Sequence, residues 1–259
     1  MDEASSPDFR QFLTATLDMI RERLTGLVLR PHHLVPDFVV YCYATDVVEY
    51  CRASLLLVAS EVPRTAYACA RSALEATQDL MLLVSEPHDY DRTGARIYVW
   101  ELLETEHLQQ RFVLGRKGMG VEVPDDLGMS VEEAVTKTAA NWEPANSQAE
   151  TLLRGAFTEF REHRPSHWSG LSRKKITERM LDGSPHEEAA AAIDALYGAL
   201  SVQTHPRIRE WSRKFQFTGG RIAVSENPED RDRPVEAAWA AAHGAWIALE
   251  LAMNQFYIA

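Results

Sequence analysis

Apolar residues recur at intervals of three and four along most of the chain. Behind Ser6-Pro7, which reads as a helix cap followed by a first-turn proline, Phe9, Phe12, Leu13, Leu17, Ile20 and Leu24 form one face and predict a helix to about Gly26. From Asp37 to Ser60 the apolar positions run almost all round with no glycine, so a buried helix is expected there. Pro63 opens a third helix over about 64–85, and Asp89 begins a fourth that reaches about Arg116. Gly118 to Gly128, with Pro124 inside it, is a loop. Three serines each followed by a glutamate three positions on, Ser130/Glu133, Ser147/Glu150 and Ser184/Glu187, have the form of a capping box. They predict helices over about 131–142 and 148–163 and a further one opened by the Ser184 box, with a short helix over 173–181 stopped by Gly183.

After Pro206 the period changes. Polar and apolar residues alternate around Thr218-Gly219-Gly220, as in a short β-hairpin or an extended loop, and Pro234 starts a last helix through Trp239, Trp246, Leu249 and Phe256. The expected fold is all-α, a multi-helix bundle of about eight to nine helices with one short hairpin near 213–224. The pattern predicts a single helical domain over 1–259, with N-terminal helices to 116, a loop over 117–129 and central helices over 130–206. An irregular or hairpin segment over 207–233 and a helix over 234–259 complete it.

Composition narrows the function classes. A chain of 259 residues that is 46% hydrophobic can bury a sizeable core, and 27 Lys and Arg against 38 Asp and Glu give a net charge of −11. That balance disfavours RNA as a partner unless a local basic patch holds it. Cys42, Cys51 and Cys69 lie in apolar helical patterns with no C-x-x-C pair, so reduced core thiols are expected rather than a disulfide framework or a zinc site. Met1 to Ser6 lacks the charge and apolar run of a secretory signal, and Leu80 to Val84 is far too short to cross a membrane. A soluble cytoplasmic protein without a cofactor or metal is expected.

Two polar stripes carry candidate chemistry. On the third helix Arg71, Glu75 and Gln78 share one side of an otherwise apolar surface, which predicts a largely buried pair bonded to a facing helix. The same spacing also suits a solvated i,i+4 ion pair. On the helix that precedes Pro206, Asp194, Tyr197, Ser201 and His205 follow at intervals of three, four and four. Ser201 and His205 are near enough for a hydroxyl–imidazole contact, but no glycine-flanked elbow surrounds the serine, and a capping or core histidine fits as well. Glu104 and His107 form half of the carboxylate di-iron pattern, whose second half is missing, so a chance pair on a solvated face is the better reading.

Arg161 and His167 fit the bare spacing of the HEPN ribonuclease signature, interrupted by Pro165. Arg173, Lys174 and Lys175, and the run from Arg207 to Arg221 with Trp211, Phe215 and Phe217, are the main basic clusters.

Three segments in this order, Ala68 to Glu75, His167 to Ser172 and Tyr197 to Pro206, resemble a bacterial helical family catalogued as the domain of unknown function numbered five-six-seven-seven. The resemblance implies an all-helical fold and a polar set of Arg71, Glu75, Trp168, Tyr197, Ser201 and His205. It implies no reaction, and a distant likeness to HEPN proteins enters by analogy only.

The expectation is therefore a polar pocket for a small polar or anionic ligand. Arg71, Gln78, Trp168 and Asp194 would bind it, and His205, Glu75, Ser201 and Tyr197 would form its catalytic candidates. A HEPN-like ribonuclease acting as a homodimer and a non-catalytic partner-binding scaffold are the alternatives.

Overall fold

A computed structural model describes residues 7–59, 63–85, 87–120, 129–144, 146–182, 187–204, 215–218, 221–224 and 242–254. The helices are α1 (Pro7–Thr25), α2 (Leu34–Ala59), α3 (Pro63–Val84), α4 (Tyr90–Gly118), α5 (Val131–Trp142), α6 (Ala149–Glu162), α7 (Arg173–Leu181), α8 (Glu187–Thr204) and α9 (residues 242–254). Strands β1 (Phe215–Thr218) and β2 (Arg221–Val224) pair antiparallel with Phe215 opposite Val224. The fold among the described residues is an all-α bundle with nine helices and this one hairpin. The start of the expected last helix, from Pro234, and the third capping serine, Ser184, lie outside the described residues.

Two helix starts differ from expectation for local reasons. Helix α2 begins at Leu34 rather than Asp37, which puts Pro36 in the first turn, where a missing N–H leaves no hydrogen bond unmade. At α6 the expected box at Ser147 does not form. Asn146, buried behind the helix start, accepts from the Gln148 backbone N–H at 3.1 Å and donates to the His32 carbonyl at 2.9 Å. The box at Ser130 does form, with Glu133 N–H donating to its hydroxyl at 3.3 Å and Ser130 N–H to the Glu133 carboxylate at 2.9 Å.

The chain divides into two compact units, residues 1–27, 41–85 and 177–259 in the first and 28–40 and 86–176 in the second. In the first, α3 packs along α8, and the core is built from α1, α2, α3 and α9 residues such as Leu17, Val47, Leu74 and Ala248. Gly244 of α9 lies against α3 so closely that an added Cβ would sit 3.2 Å from both Leu74 Cδ2 and Thr77 Oγ1.

In the second unit, α4 packs on α5 and α6 around Val99, Leu103, Val135, Leu153 and Phe160, all buried. Gly94 of α4 meets the start of α2, where a Cβ would fall 2.5 Å from Pro36 Cα. The contact is backbone to backbone, and only glycine allows it.

Candidate functional site

The first unit holds the polar cluster at the α3–α8 seam. Arg71 and Glu75 stand one helical turn apart, and the Arg71 Nε donates to Glu75 Oε1 at 3.1 Å. Across the seam, Arg71 Nη2 donates to the Tyr197 hydroxyl at 2.6 Å, and that hydroxyl donates to the same Glu75 oxygen at 2.9 Å. The three groups close a ring of hydrogen bonds, with the guanidinium carbon 4.9 Å from the Tyr197 ring centroid. Burial pushes the Tyr197 phenol above its usual range, and the adjacent Glu75 carboxylate adds to the effect.

The expected pairing of α3 with α8 is present, but the expected deep burial is not. The Arg71 and Glu75 side chains keep 26% and 30% of their surface exposed. Three and four residues on from Arg71, an ordinary apolar helix would return to the core. Here Arg71 and Glu75 lie at the margin of α3, while Ala70, Ala73 and Leu74 take the core face.

Gln78 is buried and its Nε2 lies 3.5 Å from Thr177 Oγ1 of α7, a long hydrogen bond. Asp194 is exposed, so the helical stripe that begins at Tyr197 does not carry Asp194 inward. The Ser201 side chain and His205 lie outside the described residues.

Trp168 belongs to the second unit, 3% exposed, with its carbonyl accepting from Arg96 Nη2 at 3.0 Å and its ring 5.2 Å from that of His167. Among the described residues its indole N–H and that of Trp100 have no hydrogen-bond partner. His167 Nδ1 lies 2.7 Å from the Ser169 hydroxyl and accepts from the Ser169 N–H at 3.2 Å, inside a turn closed by Gly170 at φ 73°. Arg161 is exposed on the last turn of α6 with its guanidinium 5.6 Å from the Phe157 ring. Glu104 accepts from Arg164 at 2.6 Å and His107 is exposed. Among the described residues no group of three or more His, Cys, Asp or Glu side chains is placed to hold a metal ion. No helix among them is long and apolar enough to cross a membrane.

Sequence reading missed a second Arg–carboxylate–Tyr cluster, in the second unit. Asp37 is fully buried and accepts from the Arg30 backbone N–H at 2.7 Å, from Arg30 Nε at 3.0 Å and Nη2 at 2.6 Å, and from the Tyr90 hydroxyl at 3.0 Å. Its bond to Asp37 raises the Arg30 pKa, and burial drives the Tyr90 phenol far above its ordinary value. The available signal was an aspartate in the first turn of an apolar helix seven residues after an arginine, which is too common a pattern to single out.

Searches against protein-family models, curated proteins and solved structures find no match for this chain.

Proposed function

We propose that the α3–α8 seam binds a small polar or anionic ligand, with Arg71 as the group that holds it. The observation that carries this reading is the Arg71–Glu75–Tyr197 ring at the protein surface. A guanidinium fixed on two sides, by a carboxylate and a phenol, still presents a quarter of its side chain to water. Guanidinium groups recognise carboxylate and phosphate oxygens through a planar fork of five N–H donors, and a fork already ordered loses less conformational entropy on binding. Glu75 offsets the charge of Arg71, so affinity for a singly charged anion is modest and selectivity comes from geometry. Tyr197 and Glu75 are the proton-handling candidates in contact with Arg71, while Ser201 and His205 join them on sequence spacing alone.

Calorimetric titration with inorganic phosphate and with small mono- and dicarboxylates tests the reading. The expected result is saturable binding of at least one anion that weakens about tenfold or more in Arg71→Lys, because lysine keeps the charge and loses the fork. Absence of saturable heat with every anion would overturn it. A second reading, a partner-binding scaffold, draws on the same ring, since three groups that satisfy one another also serve to pin α3 to α8.

A further inference from the structure

His33 ends the short 3-10 turn Pro31–His33 that leads into α2, and Asp91 lies in the first turn of α4, both within the second unit. The imidazole Nδ1 stands 3.0 Å from each of the two Asp91 carboxylate oxygens. A ring nitrogen that faces a carboxylate at this distance is the one that carries the proton, because a bare lone pair there would oppose the lone pairs of the oxygens. The Tyr90 ring packs against the imidazole at 70°, with centroids 5.8 Å apart, and Tyr90 is itself fixed by its bond to Asp37. The imidazole is thus held on two sides.

With the proton on Nδ1, the lone pair of a neutral His33 is on Nε2. Among the described residues Nε2 has no hydrogen-bond partner, and 39% of the side chain is open to solvent. A carboxylate on one ring nitrogen and an accessible lone pair on the other are the features of a histidine that acts as base or nucleophile. No described hydroxyl or thiol is bonded to Nε2 for the ring to activate, so the ring itself is the attacking group. Arg30, which lies over the other partner of this corner, Tyr90, is committed to Asp37, and that favours an uncharged acyl group over a phosphoryl group.

We propose that His33 is a nucleophile toward acyl carbons, with activated esters as the substrate class and Asp91 as its positioning residue. The Nε2 lone pair forms a bond to the acyl carbon, the bond from that carbon to the leaving oxygen breaks, and the leaving group departs with the electron pair. The ring becomes positive while its Nδ1–H still points at Asp91. Water then adds to the acyl carbon, the C–N bond breaks, and the carboxylic acid and one proton pass to solvent as the neutral imidazole returns. The inference does not rest on the ligand reading, which concerns the first unit.

Brief treatment of the full chain with diethyl pyrocarbonate, followed by site-resolved mass spectrometry, tests it. On exposure alone His32 and His107, both exposed, would react before half-buried His33. The expected result is that His33 reacts about threefold or more faster than either. Proton–nitrogen NMR of the wild type should place the proton of the neutral ring on Nδ1. In Asp91→Asn, whose amide can donate to Nδ1 and move the proton to Nε2, the rate at His33 should fall about tenfold or more while the rate at His32 is unchanged. Hydrolysis of p-nitrophenyl acetate should fall in His33→Gln and not in His32→Gln. His33 reacting no faster than His32, a proton on Nε2 in the wild type, a His33 rate indifferent to Asp91→Asn, or hydrolysis indifferent to His33→Gln would each overturn it.

Discussion

An arginine, a carboxylate and a tyrosine meet twice among the described residues, under opposite conditions of burial. In the second unit Arg30 and Tyr90 surround the Asp37 carboxylate, which has no exposure at all, and in the first Arg71, Glu75 and Tyr197 form a ring with a quarter or more of both charged side chains in water. Each arginine also lies against the ring of its tyrosine, at 5.4 Å and 4.9 Å. The chemistry is shared, and what differs is solvent access, on which the proposed difference in role rests. Asp37 accepts four hydrogen bonds and holds the chain entering α2. Glu75 orders an arginine that an outside molecule can reach.

Breaking the buried cluster has the largest effect. Asp37→Ala removes the carboxylate that a partly buried guanidinium and a buried phenol share, and should cost about 3–5 kcal/mol. Thermal unfolding reads this as a fall of about 2–4 °C for each kcal/mol in a chain of this size. Gly94→Ala, which forces a Cβ into Pro36 beside the same cluster, should cost about 1–3 kcal/mol. Gly244→Ala, facing side-chain atoms that can shift, should cost less on the same assay.

Alkaline pH separates the clusters without mutation. Both phenols have raised pKa values in the folded state, so from about pH 10 upward the unfolded chain loses protons that the folded chain keeps. Stability is unaffected by these groups below that point and falls above it. Each phenol still protonated in the fold contributes a loss of up to about 1.4 kcal/mol per pH unit. Denaturant midpoints measured between about pH 9 and 11 should fall less steeply in Tyr90→Phe, with a smaller relief in Tyr197→Phe. Equal relief would mean that the two clusters are equally shut off from water.

The smallest stability effect belongs to the exposed ring. Arg71→Ala should cost about 1 kcal/mol or less, as for other ion pairs open to solvent, in place of the several kcal/mol that a buried pair would lose. A cost as large as that of Asp37→Ala, measured by denaturant unfolding, would make the ring a structural element.

How much of this could be read from the chain depends on sequence separation. Arg71 and Glu75 are linked by one helical turn, and Tyr197 lies on a helix whose polar stripe is visible against its Ala and Leu background. The seam between α3 and α8 was accordingly legible in residue types. Its depth was not, because a helical period gives the direction of a side chain and leaves open how far the neighbouring helix covers it. Asp194 shows the same limit: it shares the stripe of Tyr197 and ends in solvent. The Asp37 cluster joins a residue before a turn, a residue in α2 and the first residue of α4, 53 positions on, and no period connects them. Likewise Asn146 displaced Ser147 as the group that starts α6, since its amide also reaches the His32 carbonyl, a contact that only the folded unit supplies.

The central claim is that solvent access divides two like clusters into a binding group and a structural one. Nitrogen-15 NMR of the arginine Nε–H groups tests it directly, with Arg71 and Arg30 assigned by Arg71→Lys and Arg30→Lys and the protein titrated with inorganic phosphate and small dicarboxylates. The account predicts that the Arg71 resonance shifts to saturation with at least one of these anions while the Arg30 resonance stays in place. An Arg71 signal unmoved by all of them, or an Arg30 signal that moves equally, would contradict it.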